Sequence, residues 1–175
     1  MYSFIHQSSL WLLNPGRVHF RIPRPPCSKR NASGEIYNWW TDKTKQIFKN
    51  KTDCFVKQYN DYGLDGKRTL AENIADNGGL HQAYAAFSSW KNKQISPIKL
   101  PGLEEFSLDQ LFFITYGSIW CIKYAPGVVD YIIKESEHAP SPYRLKLTTL
   151  NLKAFSDSFN CQTNVLSSEN HCSIW

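Results

Sequence analysis

Apolar side chains recur at helical spacing along most of this chain, and that spacing restricts the fold to one built mainly from helices. The first such segment is amphipathic, because its apolar residues share one face while its lysines lie elsewhere. Boundaries inferred from such patterns are accurate to about three residues. The spacing predicts four helices, over about residues 41–60, 69–91, 107–124 and 151–160.

Some local signals refine this prediction. Residues 107–124 are rich in residue types that favour strands, but their apolar positions lie three and four residues apart, as in a helix. Ser107 and Gln110 have the spacing of a capping box, which supports a helix there. Thr69 is expected to cap the second helix. Residues 143–150 alternate between apolar and polar side chains, and this alternation favours a short strand.

The first 33 residues differ in character from the rest of the chain. They end in a segment rich in proline, arginine and serine without any period, so we expect an irregular tail before a domain over 34–175. Their apolar run LWLL is too short for the core of a signal peptide. No stretch reaches the roughly 18 apolar residues that a membrane helix needs. We therefore expect no membrane span in this chain, and it carries no convincing signal peptide or anchor.

The charge of the chain gives little indication of a partner. The formal net charge is +5, and the 20 basic residues are spread along the sequence. A nucleic-acid surface needs a basic stripe on one face, which this distribution does not provide. We expect no nucleic-acid partner.

Cysteines and glycosylation sequons favour an oxidising, extracytoplasmic setting. The sequons begin at Asn31 and Asn50. No two cysteines form a CxxC pair, which argues against a zinc knuckle or a thioredoxin-like motif. Their odd number leaves at least one thiol free or bonded to another chain. The five cysteines are at positions 27, 54, 121, 161 and 172.

An acidic pair lies within the second predicted helix, in the run TLAENIADNGGL. Glu72 and Asp76 share one helix face, where like charges four residues apart cost a few tenths of a kcal/mol. On a partly buried face such a pair needs a cation, which could be a buried Arg or Lys or a metal. Gly78 and Gly79 would let another backbone approach closely. The alternative is an exposed acidic face with a tolerated glycine pair, and the residues alone leave both possibilities open.

The same run resembles the glutamate-bearing helix of the neprilysin family of zinc metalloendopeptidases, which includes the endothelin-converting enzymes. Residues 69–79 match the family pattern TL-x-ENIAD-x-GG, and the resemblance continues through LPGL and QLFF to CSIW at the last residue. It covers residues 34–175. It implies a mainly α fold, the helical C-terminal portion of a thermolysin-like (gluzincin) metallopeptidase domain with little strand.

The resemblance implies roles for several residues around a zinc ion. Glu72 would be the third zinc ligand, and Asp76 would orient a ligating histidine. His138 would donate a hydrogen bond to the tetrahedral oxyanion. Arg144 would bind the carbonyl or carboxylate of the substrate.

Two further residues, Ile119 and Trp120, would border the pocket for the substrate residue after the cleaved bond. Three of these assignments have a plain alternative. His138 could be a surface-loop histidine, Trp120 could be part of the core, and Arg144 could be a solvated residue of a strand.

The resemblance also implies a disulfide framework. It pairs Cys54 with Cys172, with their Cα atoms expected about 5 to 6 Å apart. It joins Cys121 and Cys161 to the family's N-terminal part. Cys27 lies in the unmatched tail.

The sequence contains no HExxH motif, which in the family supplies two zinc ligands and the glutamate that activates the zinc-bound water. No two of its five histidines are four residues apart. The segment GRVHFRIPRPP stands near the place where the motif is expected, and the resemblance stops there. We therefore expect the chain alone to be inactive and not to hold zinc, although zinc is the family's cofactor and peptides are its substrates.

The leading interpretation is thus a partial neprilysin-like zinc metalloendopeptidase. The family hydrolyses oligopeptides on the amino side of bulky apolar residues, outside the cell or at its surface. A non-catalytic peptide- or protein-binding remnant is the second interpretation. An active enzyme with an unfamiliar site is the least favoured.

Overall fold

The computed structural model describes residues 31–95, 99–161 and 171–174. The predictions for Cys27 and for the rest of residues 1–30 fall outside them. No helix in the described part is long and apolar enough to cross a membrane. The fold is mainly helical, as predicted. Its six described helices are α1 Asp42–Asn60, α2 Leu70–Lys91, α3 Leu108–Ile119, α4 Val128–Glu135, α5 Ser141–Leu150 and α6 Lys153–Phe159.

The first two helices have the predicted boundaries, although one predicted cap differs. Helix α1 begins after Thr41, whose side chain accepts a hydrogen bond from Thr44 N at 3.1 Å. Thr69 precedes α2 but makes no side-chain capping bond. Its hydroxyl donates to Asp65 O and accepts from Asn73 Nδ2, each at 2.8 Å. Thr69 therefore bonds to the turn before α2 and to the first turn of α2, and its side chain does not cap the helix.

Helix α3 begins where the capping box predicts and ends earlier than expected. Ser107 Oγ accepts from Gln110 N at 3.1 Å, and Gln110 Oε1 accepts from Ser107 N at 2.8 Å. The helix ends at Ile119, so its predicted extension to residue 124 is wrong. Residues 121–123 are exposed, and without an apolar face to bury, a further turn would gain little stability.

Apolar spacing did not predict α4, and it indicated a strand where the structure has helix α5. Helix α4 has eight residues and none of them is buried. Its pattern of apolar residues is therefore too short and too exposed to indicate a helix. The strand predicted over 143–150 is wrong, because this segment belongs to α5. Helix α5 lies between two hydrophobic clusters: Tyr143 and Leu147 contact one, and Leu145 contacts the other. Its apolar residues alternate for that reason.

The core consists of those two clusters, and α2 contributes to both. Its first half contributes Ile74 to the first cluster, and its second half contributes Leu80, Ala83 and Phe87 to the second. Helix α2 also packs against α1 and α5. The buried residues of the first cluster are Phe55, Tyr59, Leu64, Ile74, Ala139, Leu147, Cys172 and Ile174. Those of the second are Leu80, Ala83, Phe87, Phe112, Phe113 and Tyr116.

A disulfide ties the C-terminal segment to α1. Cys54 and Cys172 are bonded with their Cα atoms 5.6 Å apart, which confirms both the predicted pairing and the predicted distance. Asn151 reinforces the same junction, since its Oδ1 accepts from Cys172 N at 3.0 Å. Cys121 and Cys161 are exposed free thiols among the described residues.

Candidate functional site

The two carboxylates of the acidic pair each face a basic side chain from another part of the chain. Glu72 Oε2 lies 3.2 Å from Nε2 of His138, which belongs to the loop between α4 and α5. Asp76 accepts two hydrogen bonds from Arg144 on α5, one from Nε and one from Nη2, both at 2.6 Å. Helix α2 thus carries two like charges in register because each has its own partner.

Burial differs between the two pairs. The side chains of Asp76 and Arg144 are 13% and 21% exposed, whereas those of Glu72 and His138 are 15% and 49% exposed. His138 therefore reaches solvent while the carboxylate that it faces is largely covered. The exposed acidic face that we considered for Glu72 and Asp76 is absent.

Burial also governs the electrostatics of the Asp76–Arg144 pair. It is the largest influence on the Asp76 carboxyl and raises its pKa above the ordinary value, while the hydrogen bonds and charge of Arg144 act in the opposite direction. In Arg144 burial lowers the pKa, but the hydrogen bonds and charge of Asp76 outweigh it, so the pKa lies above its ordinary value. Removing either partner would leave the other largely buried and uncompensated.

Trp120 brings α3 into contact with this group. The guanidinium carbon of Arg144 lies 4.3 Å from the ring centroid of Trp120, within the range of a cation–π contact. Trp120 follows the last residue of α3, and its ring packs edge-on against Tyr116 with centroids 6.1 Å apart. Ile119, its neighbour in the chain, is 48% exposed.

The structure therefore gathers five of the six predicted site residues, from α2, α5, the end of α3 and the loop before α5. We call this group the carboxylate cluster. The sixth residue, Ile119, is half-exposed at the end of α3. The chemical role of each member remains a prediction. The members are Glu72, Asp76, Trp120, His138 and Arg144.

Two tyrosines that the sequence analysis did not identify hold α5 in place. The Tyr124 hydroxyl donates to Ser141 Oγ at 2.8 Å and accepts from Ser141 N at 3.0 Å, so it satisfies an N–H group at the start of α5. The hydroxyls of Tyr116 and Thr148 lie 2.9 Å apart in the interior, one helical turn beyond Arg144. Burial raises the pKa of Tyr116 to about 12 and keeps that hydroxyl protonated. These contacts join residues distant in sequence, so no spacing pattern reveals them.

The first glycine of the pair faces the C-terminal segment. Gly78 is buried and lines a cavity of about 30 Å³ together with Cys172, Ser173 and Ile174. A cavity of this size holds about one water molecule. The glycine thus lies where another part of the chain crosses α2.

A zinc site needs more ligands than the described residues supply. Catalytic zinc takes three protein ligands and a water. Within residues 31–95, 99–161 and 171–174, no three His, Cys, Asp or Glu side chains are grouped so that they could hold a metal ion. Glu72 and His138 form a pair of possible donors, and Asp76 is bonded to Arg144. On their own, the described residues do not fit a zinc ion.

The helical fold and the ENIAD helix are the features that relate this chain to a family of metallopeptidases. The sequence profile of Peptidase family M13 matches residues 27–174, a range that begins within the expected N-terminal tail. The chain belongs to this family.

Curated relatives agree with this assignment. The chain is 37% identical over 151 residues to an endothelin-converting enzyme homolog of Locusta migratoria, and 36% identical over 154 residues to neprilysin of Homo sapiens. Each alignment covers 83% of this chain, but 21% and 20% of the two relatives. The chain therefore spans about a fifth of the length of the curated relatives that it matches.

Solved structures share the fold. The Haemonchus galactose containing glycoprotein complex superimposes with a TM-score of 0.76 at 30% identity, over 85% of this chain and 26% of that chain. The Mycobacterium tuberculosis zinc metalloprotease Zmp1, solved with an inhibitor, has a TM-score of 0.73 at 23% identity, over 85% of this chain and 24% of that chain. At that lower identity the second likeness supports the fold alone.

Proposed function

We propose that this chain is the glutamate-bearing portion of a neprilysin-like zinc endopeptidase and that Glu72 is one of the zinc ligands. The observation that carries the proposal is the largely buried Glu72, held on the ENIAD helix within the carboxylate cluster. The remaining zinc ligands and the general base would come from an HExxH motif, which these 175 residues do not contain. Asp76 would orient one of those histidines.

Substrate binding would involve the basic members of the cluster. Arg144 would bind a substrate carbonyl or carboxylate, because Asp76 engages its Nε and Nη2 and leaves Nη1 for a further acceptor. His138 would donate a hydrogen bond to the oxyanion formed during peptide cleavage. Ile119 and Trp120 would border the pocket for a bulky apolar residue of the peptide. The exposure of Ile119 and the contact of Trp120 with Arg144 support this assignment.

The test is a chimera in which residues 34–175 replace the matched segment of human neprilysin. We expect the chimera to cleave short peptides before bulky apolar residues, and Glu72→Ala to abolish that cleavage. Glu105→Ala, which changes an exposed glutamate of the same chain, is the matched control and should retain activity. A folded chimera whose cleavage survives Glu72→Ala would contradict the proposal.

The 175-residue chain alone is proposed to be inactive, because one glutamate and one histidine do not hold catalytic zinc. Purified chain supplied with zinc should leave the same peptides intact. Chelator-sensitive cleavage that disappears in Glu72→Ala would show that other residues of this chain complete the site.

A peptide-binding role without catalysis is the second candidate function. It is favoured by the grouping of His138, Arg144 and Trp120 in a chain that has no HExxH motif. Titration of the chain with short apolar peptides in the presence of a chelator tests it. Binding that Arg144→Ala weakens would support this role, and the absence of binding would count against it.

An extracellular or cell-surface location is proposed as well. The Cys54–Cys172 disulfide and the sequons at Asn31 and Asn50 support it, since both features belong to oxidising compartments. Asn50 is exposed on α1 and can carry a glycan. Expression through the secretory pathway, followed by enzymatic removal of N-glycans, should change the mass of the protein, and Asn50→Gln should remove part of that change.

A further inference from the structure

Besides the contact of His138 with Glu72, the side chain of Arg68 joins the loop that carries His138 to the segment before α2. Arg68, two residues before α2, donates from Nε to Ser136 O at 3.2 Å and from Nη2 to Ile133 O. Both carbonyls lie at the C-terminal end of α4, where a helix leaves carbonyl groups without an internal partner. Ser136 Oγ in turn accepts from His138 N at 2.9 Å. A continuous series of hydrogen bonds therefore connects Arg68 to the backbone of His138.

The two sides of the loop are anchored differently. On the downstream side, Ala139 is 4% exposed and the side chain of Pro140 is fully buried. Ala139 belongs to the first cluster, so packing fixes this side of the loop. On the upstream side, α4 has no fully buried residue, and the partly buried Ile133 packs against the first cluster. The two bonds from Arg68 add a polar attachment to that packing on the upstream side.

Arg68 is itself fixed relative to the acidic pair. Its backbone N donates to Asp65 Oδ1 at 2.9 Å, and its Nη1 lies 3.7 Å from Asp65 Oδ2. It precedes Glu72 by four residues in the segment that enters α2. One continuous stretch of backbone therefore carries both Arg68, which bonds to the His138 loop, and Glu72, which His138 faces.

We propose that Arg68 is a positioning residue that sets the placement of His138 against Glu72. The guanidinium suits this role because its planar fork reaches two carbonyl oxygens at once, whereas the ammonium of a lysine acts as a single point charge. The inference rests on the proposed function in one respect: its consequence for catalysis passes through the hydrogen bond that His138 would give to the oxyanion.

The test is an NMR measurement of the histidine ring signals of the full chain at one fixed pH, without zinc or substrate. His138→Gln identifies the His138 signal among the five histidines. Glu72→Ala gives the position of that signal when the contact with Glu72 is lost. We expect Arg68→Ala to move the His138 signal most of the way to that position, and to leave the His81 signal in place. Lys67→Ala, which removes an adjacent exposed positive charge, should leave both signals unchanged.

Arg68→Lys provides the second variant, and its His138 signal should lie between those of the parent and Arg68→Ala. An unmoved His138 signal in folded Arg68→Ala overturns the proposal, as does an equal movement in Lys67→Ala. If Arg68→Ala does not fold, an unmoved His138 signal in Arg68→Lys overturns the proposal instead. The measurement needs neither metal nor turnover, so its failure would leave the proposed function standing, and an inactive chimera would leave the positioning role standing.

Discussion

At the scale of single residues, Glu72 and Asp76 share a helix face but differ in what they contact. Asp76 is locked to Arg144 by two hydrogen bonds, while Glu72 meets a half-exposed histidine. The sequence pattern drew attention to both carboxylates as a pair that needs a cation if it is buried, and the roles that the family resemblance gives them remain predictions. It did not predict that Asp76 would bond to Arg144, because these residues lie 68 positions apart and meet only through the packing of α2 on α5.

We predict that Asp76→Ala lowers the free energy of unfolding by about 3 kcal/mol, because it leaves the largely buried Arg144 without its counter-charge. Urea denaturation of the full chain measures the change. Asp157→Ala is the control, since Asp157 forms an exposed pair with Lys153 at 2.6 Å, and its loss should cost less than about 1 kcal/mol. Equal losses in the two variants would contradict the structural importance of the buried pair.

At the scale of helices, the sequence predicted those elements whose apolar residues recur three and four positions apart. Helices α1 and α2 are long and show this spacing, and α3 begins at a recognisable capping box. Helix α5 was misread as a strand because it is buried on two sides, which gives an alternating pattern. Helix α4 was missed because none of its residues is buried. Apolar spacing therefore fails for a short helix whose buried residues alternate between two sides or that has no buried residue.

The capping box of α3 gives a prediction at this scale. Ser107→Ala should lower the free energy of unfolding by about 1 kcal/mol, because the N–H of Gln110 loses its acceptor at the start of the helix. Thermal or urea denaturation provides the measurement. Ser89→Ala, at an exposed position within α2, should have no effect or stabilise slightly, since alanine has the higher helix propensity. A loss in Ser89→Ala as large as in Ser107→Ala would argue against a specific capping effect.

At the scale of the whole molecule, two clusters and one long-range disulfide hold the described residues together. The disulfide joins residues 118 positions apart and fixes the C-terminal segment against α1 beside the first cluster. The family resemblance predicted this bond, whereas cysteine spacing alone left its partners open. The same resemblance identified the candidate zinc ligand, although the chain spans about a fifth of the length of its curated relatives.

We predict that replacing Cys54 and Cys172 together by serine destabilises the chain by about 4 to 5 kcal/mol, because the bond closes a loop of more than one hundred residues in the unfolded state. Urea denaturation under non-reducing conditions measures the effect. Cys121→Ser, at an exposed free thiol, is the control and should change stability little. An unchanged midpoint in the double variant would contradict the role assigned to the disulfide.

The central claim is that Glu72 is a zinc ligand of a Peptidase family M13 site, and the most direct measurement is zinc affinity in the chimera that carries residues 34–175. We predict that the parent chimera and its Glu105→Ala control bind one zinc ion with the same dissociation constant. Glu72→Ala should raise that constant by at least about 100-fold, since losing a ligand costs more than losing a group that only orients one. A folded Glu72→Ala chimera that binds zinc as tightly as its parent would contradict the claim.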